Sequence, residues 1–242
     1  EQRMEESEPY YRLAAAQKFH HAVSGLGDLA LLRAERLLKQ PGSEVRSEEI
    51  VTELAAAISY FDQAERMGSF WGPIKAAQFL DNPAYEPYRK QALAKAGLTG
   101  EETARTRWKR AVAMGNVFAM NELAMLDLRL GYIEEAREML EQAARMNYPN
   151  ASYHLARYFY GADGFGPDEK KYRHYLEKAA YDGSARASLV LGKLALAAHD
   201  AAKTTEEKLN QQKLASAWFQ KAEEQNFSCF EKDVYEQLRQ YK

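Results

Sequence analysis

The feature that most constrains this chain is a segment that recurs along it. Its pattern is aromatic-aromatic-x-x-Ala-Ala-x-x-Gly/Asn-x-x-x-Ala, and six copies can be aligned. The clearest run from Tyr175 to Ala187 and from Met139 to Ala151. A third starts at Trp108 and runs on through Gly115 to Ala119. The others are Tyr60 to Gly68, Trp218 to Asn226, and a weaker copy from Tyr10 to Ala22. Their anchor alanines, Ala14, Ala64, Ala111, Ala143, Ala179 and Ala222, are 50, 47, 32, 36 and 43 residues apart. Periods of this size mark stacked supersecondary units, each too small to bury its own apolar face.

Each copy reads as the end of one helix, a tight turn and the start of the next. Alanine pairs let neighbouring helices approach, and the preceding aromatic or leucine fills the space beside them. Gly68, Gly115 and Gly183, with Asn147 and Asn226, occupy the slot after the helix where a left-handed backbone is tolerated. A second apolar pattern follows each turn: Ala22-x-x-x-Leu26-Gly27, Ala119-x-x-x-Leu123-Ala124, Ala151-x-x-x-Leu155-Ala156 and Ala187-x-x-x-Leu191-Gly192. That spacing keeps one helical face apolar, and Gly27 and Gly192 fall where helices touch. Thr99-x-x-Glu102 and Thr204-x-x-Glu207 read as capping boxes, and Pro73 suits a first helical turn.

Composition agrees. The chain of 242 residues has 39 alanines against 14 glycines and 7 prolines, a balance that favours helix over a turn-rich β-sandwich. Hydrophobic residues at 46% and charged residues at 28% suit a folded, soluble protein. A net charge of -2 lacks the positive excess with which nonspecific nucleic-acid binders meet phosphates. The single cysteine, Cys229, excludes an intrachain disulfide and any multi-cysteine metal site.

The stretch 151–187 resembles a Sel1-like repeat, a relative of the tetratricopeptide repeat with a glycine-containing loop. The resemblance is carried by Ala151, Leu155, Phe159, Gly164, Phe165, Asp168, Lys171, Tyr175, Lys178, Ala179, Ala180, Gly183 and Ala187. Two positions depart: Ala162 stands where a loop glycine is usual, and Tyr172 where alanine is usual. The unit opening at Ala119 has a shorter turn over Leu130 to Ala136, nearer the tetratricopeptide form. The resemblance is strong over 104–226 and loose before that. It implies an all-α fold, a right-handed α-solenoid of about six helix-turn-helix repeats.

The chain is expected to comprise a polar N-terminal tether, 1–9, and one solenoid, 10–242. Insertions are placed near 40–47 and 81–97, the second holding an extra short helix over 88–96. A final helix near 230–241 would cap the stack. No apolar run is long enough to span a bilayer. Because the chain opens on Glu1, a removed upstream segment is expected: a signal peptide, a lipid anchor or a simple boundary.

Motifs for chemistry are sparse. There is no Walker loop, dinucleotide fingerprint, zinc-protease helix or nucleophile elbow. His20 and His21 are adjacent and point about 100° apart on a helix, which excludes a shared metal. His154 and His174, on two helices of one hairpin, read as surface or groove histidines. Asp163 to Asp168 lacks the alternating oxygen ligands of a calcium loop. The acidic pairs Glu48-Glu49, Glu134-Glu135 and Glu223-Glu224 read as helix starts or solvated faces. Neither a metal nor another cofactor is expected. Trp108 and Trp218 fall in a repeat core slot, whereas Trp71, in the Ser69–Gly72 turn, either packs against the 81–97 insertion or joins an exposed contact.

A stack of helical hairpins offers a long surface along the first helix of each unit, and in the resembled family that surface generally holds a protein or peptide. The positions not spent on the core are Asp28, Lys75, Gln78, Glu122, Met125, His154, Arg157 and Lys193, joined by Trp71. Short bacterial chains of such repeats often act in the envelope, some as immunity proteins that occlude a secreted toxic effector such as a type VI secretion lipase. The expectation is therefore a non-catalytic protein-binding module of the bacterial periplasm or envelope, with a cytoplasmic place as the alternative. Two other readings stand beside immunity: an adaptor or scaffold for secretion or polysaccharide export, and a helical enzyme acting on a sugar polymer or lipid. The enzyme would need a deep pocket with clustered carboxylates.

Overall fold

In the computed structural model the structure describes residues 6–41, 43–98, 103–161 and 166–225. These residues form twelve α-helices and no strand, so the all-α expectation holds. By contacts the chain divides into two compact units, Glu1–Ala119 and Met120–Lys242.

The first unit opens with α1 (Glu8–Ala16) and α2 (His20–Lys39). A 3-10 turn over Ser43–Arg46 leads to α3 (Ser47–Arg66), then α4 (Trp71–Asp81) follows. The insertion supplies a 3-10 turn, Pro83–Tyr85, and α5 (Glu86–Lys95), close to the expected extra helix. Next come α6 (Ala104–Ala113) and α7 (Val117–Leu130), whose last eleven residues belong to the second unit. Glu8 and Pro9, placed with the tether by sequence, form the first turn of α1, where Glu8 pairs with Arg12 and Arg33.

Helices α2 and α3 pack as one hairpin and α4 and α6 as another, while α5 lies on α3. Their shared core holds Ile50, Leu54, Ile58, Phe61, Phe79 and Leu93. Tyr85 fastens the insertion: its buried hydroxyl donates to Glu35 Oε1 at 3.0 Å, and burial raises its pKa above the ordinary tyrosine range. Between α3 and α6 the fully buried Arg107 guanidinium donates to Asp62 at 3.1 Å and also to Glu65. A buried charge is tolerable only with such partners.

The second unit contains the rest of α7, then α8 (Ile133–Arg145), α9 (Pro149–Phe159), α10 (Glu169–Tyr181), α11 (Ala185–Ala201) and α12 (Thr205–Glu224). Helices α9 and α10 form a hairpin, as do α11 and α12. The repeat alanines Ala143, Ala151, Ala179, Ala187 and Ala222 are fully buried. Gln225 ties the end of this unit together: it accepts from Ser188 at 2.8 Å and donates to the Ala180 carbonyl at 2.8 Å.

The turn reading holds at the atomic level. Gly68, Gly115, Gly183 and the non-glycine Asn147 all have positive φ, Asn147 at 59°. The capping box Thr204-x-x-Glu207 is formed. Thr99 and Glu102 lie outside the described residues, and α6 is capped instead by Thr103, which shares a box with Thr106. Trp71 is the first residue of α4 rather than part of a turn. Trp218 is also reassigned: the buried ring is Phe219, one residue on, while Trp218 is half-buried against Tyr181. Trp108 is core as expected. Cys229, Asn226, Gly164, Phe165 and the expected capping helix near 230–241 lie outside the described residues.

Candidate functional site

In the first unit, α1, α2 and α4 surround an open cleft of about 720 Å³. From α1 come Tyr10, Tyr11 and Ala14. Phe19 precedes α2, which supplies His21, Ala22, Ser24, Gly25 and Asp28. From α4 come Trp71 and Lys75. Three of the rings lie open to solvent: Tyr10 is 74% exposed, Phe19 59% and Trp71 39%. The Tyr11 ring seats on α2, where an added Cβ on Gly25 would lie 3.0 Å from it. Glycine there gives the ring its place.

The floor carries one acid and one base. Lys75 Nζ lies 2.9 Å from Asp28 Oδ1, and both side chains are half-buried. The two charges offset each other, and the Ser24 hydroxyl donates to the His20 carbonyl at 3.4 Å. Asp28, Lys75 and Trp71, singled out from sequence, are thus brought together. Gln78 is exposed on α4, one turn beyond Lys75, and stays outside the lining. Trp71 packs on Phe70, with ring centroids 5.1 Å apart, and lines the cleft.

Tyr10, Tyr11, Phe19 and His21 were not legible as a site. A signal existed: Tyr10 and Tyr11 stand in the aromatic slot of a repeat copy, next to positions already singled out on α2.

The second-unit candidates lie on three helices. Glu122 and Met125 are half-buried on α7, and Glu122 Oε1 accepts from Asn121 Nδ2 at 2.9 Å. His154 and Arg157 lie on α9 and Lys193 on α11, with Arg157 and Lys193 exposed. His154 and Arg157 are close enough for their charges to interact, as is Arg186, which sequence reasoning passed over. Burial first, and then these two guanidinium groups, push the His154 pKa down to about 4, so the ring is neutral at pH 7. His174 is exposed on α10 and packs on Tyr175.

A second cleft in the first unit, about 400 Å³, is lined by Arg33, Arg36, Glu49 and Glu53 among others. Burial raises the Glu53 pKa, and Arg33 is committed to Glu8. Among the described residues no group of three or more His, Cys, Asp or Glu side chains could hold a metal ion, and no helix is long and apolar enough to cross a membrane. Asp168, at the calcium-like loop, caps α10 by accepting from the Lys171 amide at 3.0 Å.

No family model matches the chain, and no curated protein matches it. Solved structures do. It superposes on a Sel1 repeat protein from Oxalobacter formigenes with TM-score 0.55 and 20% identity, over 91% of this chain and 79% of that one. It superposes on immunity protein Pa5087 from Pseudomonas aeruginosa with TM-score 0.50 and 17% identity, over 90% of this chain and 73% of that one. The fold is therefore that of the Sel1-like repeat solenoids, as the repeat pattern anticipated. An immunity protein is among the structures that share it.

Proposed function

We propose that the chain is a non-catalytic protein-binding module, and specifically a bacterial immunity protein that binds and neutralises a secreted toxic effector of the type VI lipase kind. The observation that carries the reading is the open aromatic cleft of the first unit, in which Asp28 and Lys75 pair. Macromolecular contacts are anchored by exposed tyrosine and tryptophan, whereas catalysis on a sugar polymer calls for paired carboxylates, and this cleft has one, already tied to Lys75. Fold likeness to immunity protein Pa5087 adds support, as fold alone. In this reading Asp28, Trp71 and Lys75 form one contact region, and Gln78 extends it along α4. Glu122, Met125, His154, Arg157 and Lys193 form contacts of the second unit. The site of action is the periplasm or envelope.

The test is co-purification with the product of the neighbouring gene, together with a protection assay in cells expressing that product. The reading expects a stable complex and survival. Absence of both would sink it.

A further inference from the structure

We propose that the cleft between α1, α2 and α4 receives an extended, uncharged segment of the partner protein. Its apolar side chains would seat among Tyr10, Tyr11, Phe19 and Trp71, and its main chain would lie on the Asp28–Lys75 pair. This deepens the protein-binding reading and rests on it.

Three features define the occupant. First, the rings form an exposed apolar surface, of the kind a folded chain keeps open for a partner. Second, the lining is predominantly apolar. Its carboxylate and its ammonium group offset each other at 2.9 Å, and the Ser24 hydroxyl donates to its own helix. The remaining polar side-chain groups are carried on rings: the Tyr10 and Tyr11 hydroxyls, the His21 imidazole and the Trp71 N–H. A charged ligand needs an unbalanced countercharge, which the Asp28–Lys75 pair does not offer, and apolar side chains match the greater part of the lining.

Third, the ion pair selects the backbone of the occupant. A desolvated extended segment carries amide N–H and C=O groups in need of partners, whereas a helix satisfies its own. Asp28 presents an acceptor and Lys75 a donor side by side, the complement of those two groups. Each keeps part of its side chain open to solvent while paired, so a segment can bind without first breaking a buried salt bridge.

The whole chain can be panned against a phage-displayed library of random short peptides, with the Trp71→Ala chain as the subtracting surface. Circular dichroism establishes that the variant is folded. Tyr10→Ala provides a second variant, since that ring is too exposed to hold the core. The expected result is a set of peptides sharing apolar or aromatic residues among uncharged ones. Their affinity should fall about tenfold or more in either variant. It should be unmoved by Lys170→Ala, an exposed position of α10 outside every proposed contact, and nearly flat from low to high salt. Asp28→Ala should weaken them without changing the side-chain preference.

Peptides that bind the Trp71→Ala and Tyr10→Ala chains equally well would overturn the proposal. So would a charged, salt-sensitive consensus, or an oligosaccharide that quenches Trp71 fluorescence where no peptide binds. A concentration-dependent mass abolished by Trp71→Ala would assign the cleft to a second copy instead. A Trp71→Ala chain that still neutralises the effector would overturn the docking site and leave immunity standing. Peptides that bind where no effector is neutralised would do the reverse.

Discussion

At the scale of single residues, two glycines show how the repeat is packed. A Cβ on Gly27 would lie 2.4 Å from the Phe61 ring, and one on Gly192 would lie 2.3 Å from Phe219. Both rings are buried, three residues before their anchor alanines Ala64 and Ala222. The positions aligned with these glycines in the α7 and α9 repeats hold Ala124 and Ala156, with Leu140 and Leu176 where the phenylalanines stand. Small meets large, and intermediate meets intermediate. Gly27→Ala should therefore destabilise the chain by about 1–3 kcal/mol in denaturant unfolding. Adding Phe61→Leu should recover part of that loss, because it restores a combination the sequence uses twice. Spacing alone places Gly27 and Gly192 where helices touch, and the structure supplies the rings they meet. The fate of His154 was not legible in the sequence, since its burial between Arg157 and Arg186 depends on helices brought together by folding. Its folded pKa of about 4 lies below the ordinary 6.5, so the unfolded chain binds the extra proton. Its contribution is complete above pH 6.5 and is lost as pH falls toward 4, by at most about 3 kcal/mol. Between pH 6.5 and 4.5, His154→Gln should flatten the decline in urea midpoint; an unchanged slope would show that the ring is solvated.

At the scale of helices, the sequence located hairpins well and their edges less well. Glycine and asparagine turns carry a backbone requirement that survives any packing, and every described one falls as read. Edges depend on local competition. The cap of α6 is Thr103, which the sequence reading did not single out and whose hydroxyl accepts from the Thr106 amide at 3.2 Å. The one-residue shift from Trp218 to Phe219 has another origin: Phe219, like Phe61, Trp108, Leu140 and Leu176, stands three residues before its anchor alanine, the slot that turns inward, and Trp218 stands four before. Where a cap is formed, its worth can be measured. Thr204→Ala removes the acceptor for the Glu207 amide at 3.2 Å, while the residue-204 N–H that donates to the Glu207 carboxylate stays in place. A loss of about 1 kcal/mol is expected, with faster hydrogen exchange confined to that end of α12.

At the scale of the molecule, the fold was readable because a repeat states its core many times over, so errors at one copy are corrected by the others. The candidate site was only half readable for the converse reason. Asp28, Lys75 and Trp71 could be chosen as helix positions left unused by the core. The rings of Tyr10, Tyr11 and Phe19 belong to the weakest copy, and that they line one cleft with Trp71 depends on how α1, α2 and α4 meet. The central claim is that this chain works by binding a protein through that cleft. Isothermal titration of the purified effector into the chain and into its Trp71→Ala variant tests it most directly, with effector activity followed in the same samples. The account predicts a stoichiometric complex that silences the effector, and binding weakened about tenfold or more by the substitution. Equal binding and equal inhibition by both chains would contradict it.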